Sequence, residues 1–565
     1  MKRWLTIIFF SILSLLFIYP SAFIYPKDTL PDNNDTRLIA YIIGQVQKNI
    51  LEHKPLPAGR HGLHYGTFFA PDKNTLAYSD LFLTSAIITL PARLFTDHPI
   101  IIFNLALILN YVLTIISSYL LFNYLFKDRW ITALTVILFN FSGFHLSYLP
   151  HLQIFSLWPL CLSLYFFIRF LDDDRHIFLS LFYLVVTVQI AESIFPAYLI
   201  FFSTICLFLS QLYKPSRTIP ACRQAWLVGR VKSIFLHAIP FIPFWIFLLF
   251  PYYRLHTSLP EATRPIRDAA HFSLGLDQIF TFYHSWTLII LFIFSLVIHQ
   301  FSSLRGGNPT RQSPIVKSNK SLLNRNGGDC FSSLTRFAMT KLTVFLRSSK
   351  RFVFDIWWIV FFFSITMSLG PVLKIFGRNI RIFGLLLPLP YTLFYYLFPG
   401  FTGFRTPSRF MVLTLLSAVI IIGFQLKPIF EKLKSKTKLI LILLILSLLF
   451  LEADLPLKSY PININMHPVY QKVTQLPPEA VILELPIKLW NRPDHEIESI
   501  RSLYSLFHNH RRFGGFSGFA TNSWVELVQQ IDVSGLTSEN IQKLQSLGVT
   551  HIIQNNTLST LKSEI

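Results

Sequence analysis

MKRWLTIIFFSILSLLFIYPSAFIYP (residues 1–26) begins with two basic residues and then runs without charge to Lys27. A cleaved export signal has an apolar core of roughly 7–15 residues and a small-x-small cleavage site. The apolar run here is longer, and Pro20-Ser21-Ala22 is a poor site. The stretch therefore predicts an uncleaved first membrane span.

The rest of the chain repeats that pattern. Of 565 residues, 52% are hydrophobic, 57 are Phe and only 14% are charged. A soluble domain carries roughly 25% charged residues, so this chain cannot cover itself in water. Apolar runs lie near 100–126, 131–149, 154–171, 176–193, 195–213, 233–251, 285–302, 353–370, 409–427 and 437–453. Their lengths are close to the roughly 17–25 residues that cross a bilayer, and with the first they make about eleven spans. The segment GLLLPLPYTLFYYLFPGF (384–401) has three interior prolines and reads as re-entrant or interfacial. The expected fold class is mainly α, a polytopic α-helical membrane protein.

A net charge of +21 in a soluble chain would suggest nucleic acid. Here the basic residues cluster between apolar runs and act as topology signals, so no nucleic-acid partner is expected. The clusters are Lys2-Arg3, Lys127/Arg129, the stretch from Lys214 to Lys232, the 303–352 loop and Lys427 to Lys438. With eleven spans all of them fall on one side, and a twelfth at 384–401 would break the pattern. The N-terminus is then cytoplasmic and the C-terminus extracytoplasmic, in an inner or plasma membrane. The 303–352 loop holds ten Lys/Arg against the single acid Asp329 and is low in complexity. Of the four cysteines, Cys161 and Cys206 lie in apolar runs and Cys222 and Cys330 in basic loops, so no disulfide framework or zinc site is indicated.

Residues 1–453 thus form the transmembrane part, and 454–565 a small α/β domain on the outer face. In that tail AVILELPI (480–487) has a buried-strand pattern. LTSENIQKLQSLGVTHIIQ predicts a helix capped at Thr537 or Ser538, stopped by Gly548 and followed by a strand from Val549.

The outer face also receives a long first loop, 26–99, which opens with PDNNDTRLIAYI (31–42). Apolar residues at Leu38, Ile39, Ile42, Ile43, Val46 and Ile50 predict an amphipathic helix lying along the membrane surface. Asp35 suits its N-cap and Asp32 a turn after Pro31. The loop carries further polar groups: Glu52, His53, Arg60, His61, His64, Asp72 and Asp80. Sharing its face are His151 and Gln153 after Pro150, Glu192 at a span end, Arg254 after two tyrosines, and Arg405 and Arg409 in FRTPSR. Ionisable residues at membrane depth are costly and tend to mark a site.

The order Asp35-Thr36-Arg37-Leu38 after the first span, His151-Leu152-Gln153 after the third, and Arg405-Thr406-Pro407-Ser408-Arg409-Phe410 near the end resembles the GT-C-type membrane glycosyltransferases. The likeness is nearest to an uncharacterised bacterial branch of multi-spanning relatives. It covers most of the chain except 303–352, and it rests on the order and shared sidedness of motifs that are individually short. The resemblance implies transfer of a sugar from a polyprenyl-phosphate donor to a glycan, lipid or protein acceptor in the cell envelope. It implies that a first-loop acid acts as general base or holds a divalent cation, magnesium or manganese, beside the donor phosphate. By position Asp35 takes that role with Asp32 as auxiliary. Arg37, Asp80, His151, Gln153, Glu192, Arg254, Arg405 and Arg409 are then the expected substrate contacts. Many relatives carry two acids adjacent or one residue apart, whereas Asn33-Asn34 separates them here. Two other readings compete: a transporter or flippase for a lipid-linked glycan, and a non-catalytic envelope-assembly protein. The sequence shows no evident internal repeat of the kind common in transporters.

Overall fold

The computed structural model describes the chain except residues 1, 52–61, 214–219, 280, 282–284, 306–348, 454, 490–495 and 562–565. Glu52, His53, Arg60, His61 and most of the 303–352 loop lie outside the described residues. The protein is mainly helical. Among the described residues five helices are long and apolar enough to cross a membrane: Pro99–Phe126, Arg129–Ser147, Leu152–Asp173, Val228–Ser258 and Pro407–Lys432. Shorter apolar helices stand over other expected runs, among them Ile7–Ile18, His176–Glu192, Trp286–Ile298 and Ile356–Ser368. In hydrocarbon a helix satisfies every backbone group within its own segment, which is why such runs adopt it.

The Pro99–Phe126 helix packs against Lys2–Ile18, Arg129–Asn140 and Trp158–Asp173. The Met411–Lys432 helix runs through the interior, buried from Met411 to Gly423. A Cβ on Gly423 would overlap three carbons of the Phe126 ring. Gly423→Ala is therefore expected to destabilise the bundle by about 1–3 kcal/mol through overpacking. Thermal unfolding in detergent reads it as a lowered midpoint, and an unchanged midpoint would show that the Phe126 ring can move aside.

Segment 384–401 forms no spanning helix. Its one α-helix, Pro390–Leu397, has 8 residues, about 12 Å at 1.5 Å per residue. Two short hairpins precede it, pairing Lys374–Ile375 with Arg378–Asn379 and Arg381–Ile382 with Leu385–Leu386.

The tail holds a four-stranded sheet in the order Thr557–Thr560, His551–Gln554, Val481–Glu484, Arg511–Arg512. The first pair is antiparallel and the other two are parallel. All four residues of Val481–Glu484 are buried, as the continuous apolar run predicts. The Ser538–Ser546 helix starts where expected, with Thr537 Oγ1 accepting from the Asn540 N–H at 3.2 Å. It is followed by Gly548 at φ +86°, a conformation that favours glycine.

The first-loop helix corrects the sequence reading. Asp35–Leu51 does form, but Thr36 through Gln47 are all buried, so it does not lie on a membrane surface. It packs against the Pro99–Phe126 helix, the short Leu83–Thr89 helix and the Glu496–His508 helix of the tail. Its polar residues, which looked like a solvated face, find partners inside. Gln47 Nε2 donates to Ala86 O at 3.0 Å and Thr89 Oγ1 at 2.9 Å, and Gln47 Oε1 accepts from Arg93 Nε at 3.0 Å. Lys48 Nζ donates to Leu506 O in the tail. Buried polar groups are tolerated where they are bonded.

HNHRRFGGFSGF (508–519) forms the seam between tail and first loop. Arg512 N–H donates to Thr67 O at 2.7 Å, and Ala70 N–H donates to Arg512 O at 2.9 Å. A Cβ on Gly515 would overlap the Phe69 ring, so the close approach needs glycine there.

Candidate functional site

The two acids of PDNNDTRLIAYI divide the work in the opposite way from the local sequence expectation. Asp32 is the capping residue: its Oδ1 accepts from Asn34 N–H, Thr36 N–H and Thr36 Oγ1, each at 2.9 Å. Asp35 is the first residue of the helix. Its carboxylate turns outward, with Oδ2 3.3 Å from His151 Nδ1. The Asp35 and His151 side chains keep 48% and 32% of their exposure, so a reactant can reach both.

His151 sits just before the short Leu152–Phe155 helix, which follows the bend after Ser147. Burial pushes its pKa below the ordinary value; Asp35 and Asp32 oppose that shift, while Arg409 and Arg405 add to it. At neutral pH the ring is therefore neutral, and an Nδ1 proton can be donated to Asp35. The ring also lies 5.8 Å from Tyr148.

Arg409 links this pair to a third acid. It faces His151 and Asp80 electrostatically, and its guanidinium lies 6.0 Å over the Phe195 ring. Its Nε is buried and has no hydrogen-bond partner among the described residues. Burial raises the pKa of Asp80, against the lowering influence of Ser193, Arg409 and the Ile194 backbone. Arg405, four residues before Arg409 and outside the helix, is exposed and rests 5.4 Å over the Phe272 ring. Asp35, His151, Arg405, Arg409 and Asp80 thus come together from four separate parts of the chain.

Other expected site residues go elsewhere. Arg37 is buried and turned toward the tail, donating to Asn33 Oδ1 at 3.0 Å and Ser499 Oγ at 3.4 Å, with Glu496 at 3.8 Å. It fastens the loop to the Glu496–His508 helix instead of facing a substrate, because that helix covers the side of the loop where it emerges. Glu192 is 1% exposed. Its Oε2 accepts from Ser85 N–H at 2.8 Å and its Oε1 from Ser85 Oγ at 2.5 Å. Ser85 in turn accepts from Asn110 Nδ2 at 3.0 Å, so Glu192 clamps the Asp80 loop from within the bundle. Gln153 is half-buried beside His151 in sequence, with Oε1 unbonded among the described residues. Arg254 is exposed on the Ile242–Ser258 helix.

The carboxylates that the resemblance would give to a divalent cation have protein partners in this structure. Asp32 Oδ1 is committed to backbone N–H groups and Asp35 to a histidine, and among the described residues no cluster of three or more His, Cys, Asp or Glu could hold a metal.

One residue escaped sequence reasoning. Arg264 donates through its backbone N–H to Thr402 O at 2.9 Å, and its guanidinium donates to Gly518 O and lies 5.8 Å from the centre of the Phe519 ring. It is close enough to Arg405 to feel its charge. Nothing in the run PEATRPIRD distinguishes it, since its role comes from loops brought together in space. No protein-family model matches the chain, and no curated protein matches it either.

Proposed function

We propose that this protein is a membrane glycosyltransferase of GT-C type that moves a sugar from a polyprenyl-phosphate donor to an acceptor hydroxyl in the cell envelope. The accompanying topology has eleven spans, a cytoplasmic N-terminus, and residues 454–565 as an extracytoplasmic α/β domain. The observation that carries the reading is the Asp35 carboxylate 3.3 Å from His151, beside an arginine whose buried Nε has no hydrogen-bond partner among the described residues.

In this reading the acceptor O–H gives its proton to Asp35 Oδ2 as its oxygen attacks the anomeric carbon. The bond from that carbon to the phosphate oxygen breaks, and the electron pair leaves with the phosphate. Neutral His151 orients the carboxylate through Nδ1. Arg409 and Arg405 face the charge that develops on the leaving oxygen, where guanidinium forks match phosphate well. No step is routed through a metal ion.

The test is incubation of the purified protein in vesicles with a panel of polyprenyl-phosphate sugars, followed by mass analysis. A glycosylated acceptor together with free polyprenyl phosphate is expected; transport of intact donor without cleavage would support a flippase instead. A pH consequence follows as well. Arg409 opposes protonation of His151, so Arg409→Ala should raise the histidine's pKa. Protonation then sets in at higher pH, and the acid limb of the pH–rate profile moves up. An unmoved acid limb would separate Arg409 from the histidine.

A further inference from the structure

The two hairpins before Pro390 share a repeat. Lys374-Ile375-Phe376-Gly377 and Arg381-Ile382-Phe383-Gly384 both read basic-Ile-Phe-Gly. Ile375 pairs with Arg378 and Ile382 with Leu385, so each Phe-Gly pair is a two-residue tip. Both phenylalanines are left-handed, with φ 47° and 51°, and the following glycines have φ 74° and 80°. Turns of this shape ordinarily use Asn-Gly or Asp-Gly, since the first position also needs positive φ. A bulky aromatic there is an outlier. Both rings also stand in the open, Phe376 at 79% exposure and Phe383 at 101%. Asparagine would suit both the turn and water better, and the same unfavourable choice is made twice.

We propose that the paired tips are a membrane-interface anchor, with Phe376 and Phe383 inserted at the headgroup–acyl boundary of an anionic lipid surface. Three observations name lipid as the occupant. The apolar helix Ser349–Ser368 ends shortly before Lys374, and six extended residues reach at most roughly 20 Å. On the far side, the Pro390–Leu397 helix continues the apolar surface with exposed Leu393, Tyr396 and Leu397. Arg378 and Arg381 are exposed beside the tips, where they match anionic phosphates as juxtamembrane basic residues do.

The anchor is fixed to the rest of the protein. Lys374 Nζ donates to Ala270 O at 2.6 Å and Ser273 O at 2.8 Å, and Asp277 Oδ1 accepts from Phe376 N–H at 2.8 Å. The segment so held contains Phe272, the ring beneath Arg405. Tip depth therefore sets the height of Arg405 over the membrane. That last consequence rests on the proposed glycosyltransferase reading; the anchoring does not.

The test uses the full chain with Cys161, Cys206, Cys222 and Cys330 replaced by Ala, reconstituted in vesicles containing phosphatidylglycerol. Nitroxide labels go on Phe376→Cys and Phe383→Cys, with Val533→Cys as the water-exposed control, since Val533 is 83% exposed. The ratio of oxygen to nickel-chelate collisions should be several-fold higher at both tips than at the control. A ratio equal to the control overturns the proposal. So does a label immobilised and shielded from both reagents, which would mean that a protein partner covers the tips. Because cysteine variants can disturb the turns, hydroxyl-radical footprinting of the unmodified chain supplies a second measurement. Phe376 and Phe383 should be protected in vesicles, and ready oxidation of both overturns the anchor. Neither readout needs sugar transfer, so a failed activity assay and a failed anchor are distinguishable.

Discussion

Asp35→Asn should insert, fold and lose sugar transfer by about 10²–10⁴-fold, the usual contribution of a positioned general base. Asparagine keeps the shape and still faces His151, but it cannot accept a proton from the acceptor. Folding should survive because helix capping belongs to Asp32, whose Oδ1 holds Asn34 N–H and Thr36 N–H at 2.9 Å. The complementary variant separates the roles: Asp32→Ala should cost about 0.5–2 kcal/mol of stability through the lost cap while leaving the base in place. Equal loss of transfer and of folding in Asp35→Asn would mean that Asp35 is structural. Initial rates in vesicles, normalised to the folded fraction by size-exclusion profile, read the difference.

Arg512→Ala should lower stability by about 3–5 kcal/mol, the range for removing one partner of a buried ion pair. Arg512 is 0% exposed, with Nε donating to Glu484 and Nη2 donating to Glu498 Oε2 at 2.8 Å. Its Nη1 reaches Ser502 Oγ at 3.2 Å. Arg501 would remain beside them, donating to Glu498 Oε1 at 2.7 Å, and Glu484 Oε1 would keep the Tyr470 hydroxyl at 2.6 Å, but Glu484 Oε2 and Glu498 Oε2 would lose their guanidinium. Arg512→Lys should not restore stability, because an ammonium is a single point charge where the guanidinium fork spans two carboxylates. The backbone seam to Thr67 and Ala70 uses the N–H and C=O of the same residue, which alanine keeps, so the loss should come from the two carboxylates. Chemical denaturation followed by tail fluorescence tests this, and a change within roughly 0.5 kcal/mol, as for an ordinary surface site, would show that the carboxylates find other partners.

Much of the architecture was legible because it follows from periodicity. Long apolar runs become helices, and the Thr537 cap, Gly548 and the Val481–Glu484 strand stand where local chemistry puts them. The surroundings of the first-loop helix were not legible. Amphipathicity tells which face of Asp35–Leu51 is apolar, but it does not tell that Gln47 and Lys48 on the other face meet Ala86 and Leu506. That depends on contacts between residues 39 and 458 positions apart.

The site divides in the same way. Residues at motif positions, Asp35, His151, Arg405 and Arg409, do come together. Arg37 belongs to the same motif yet turns toward Ser499 and Glu496, since side-chain direction is set by the covering helix. The exchange of roles between Asp32 and Asp35 was also hidden. Both acids suit a helix start, and only the turn through Asn33-Asn34 decides which one reaches back to the free N–H groups. Arg264 carried no local signal, and its place near Arg405 is created by the Thr402 and Gly518 contacts.

The central claim is that Asp35 takes the acceptor's proton within a cluster that binds the donor. Its most direct test is a single-turnover measurement on wild type and Asp35→Asn in the same vesicles, reading donor binding and sugar transfer together. The account predicts unchanged donor binding with transfer reduced by about 10²-fold or more in the variant. Full transfer by Asp35→Asn would contradict it.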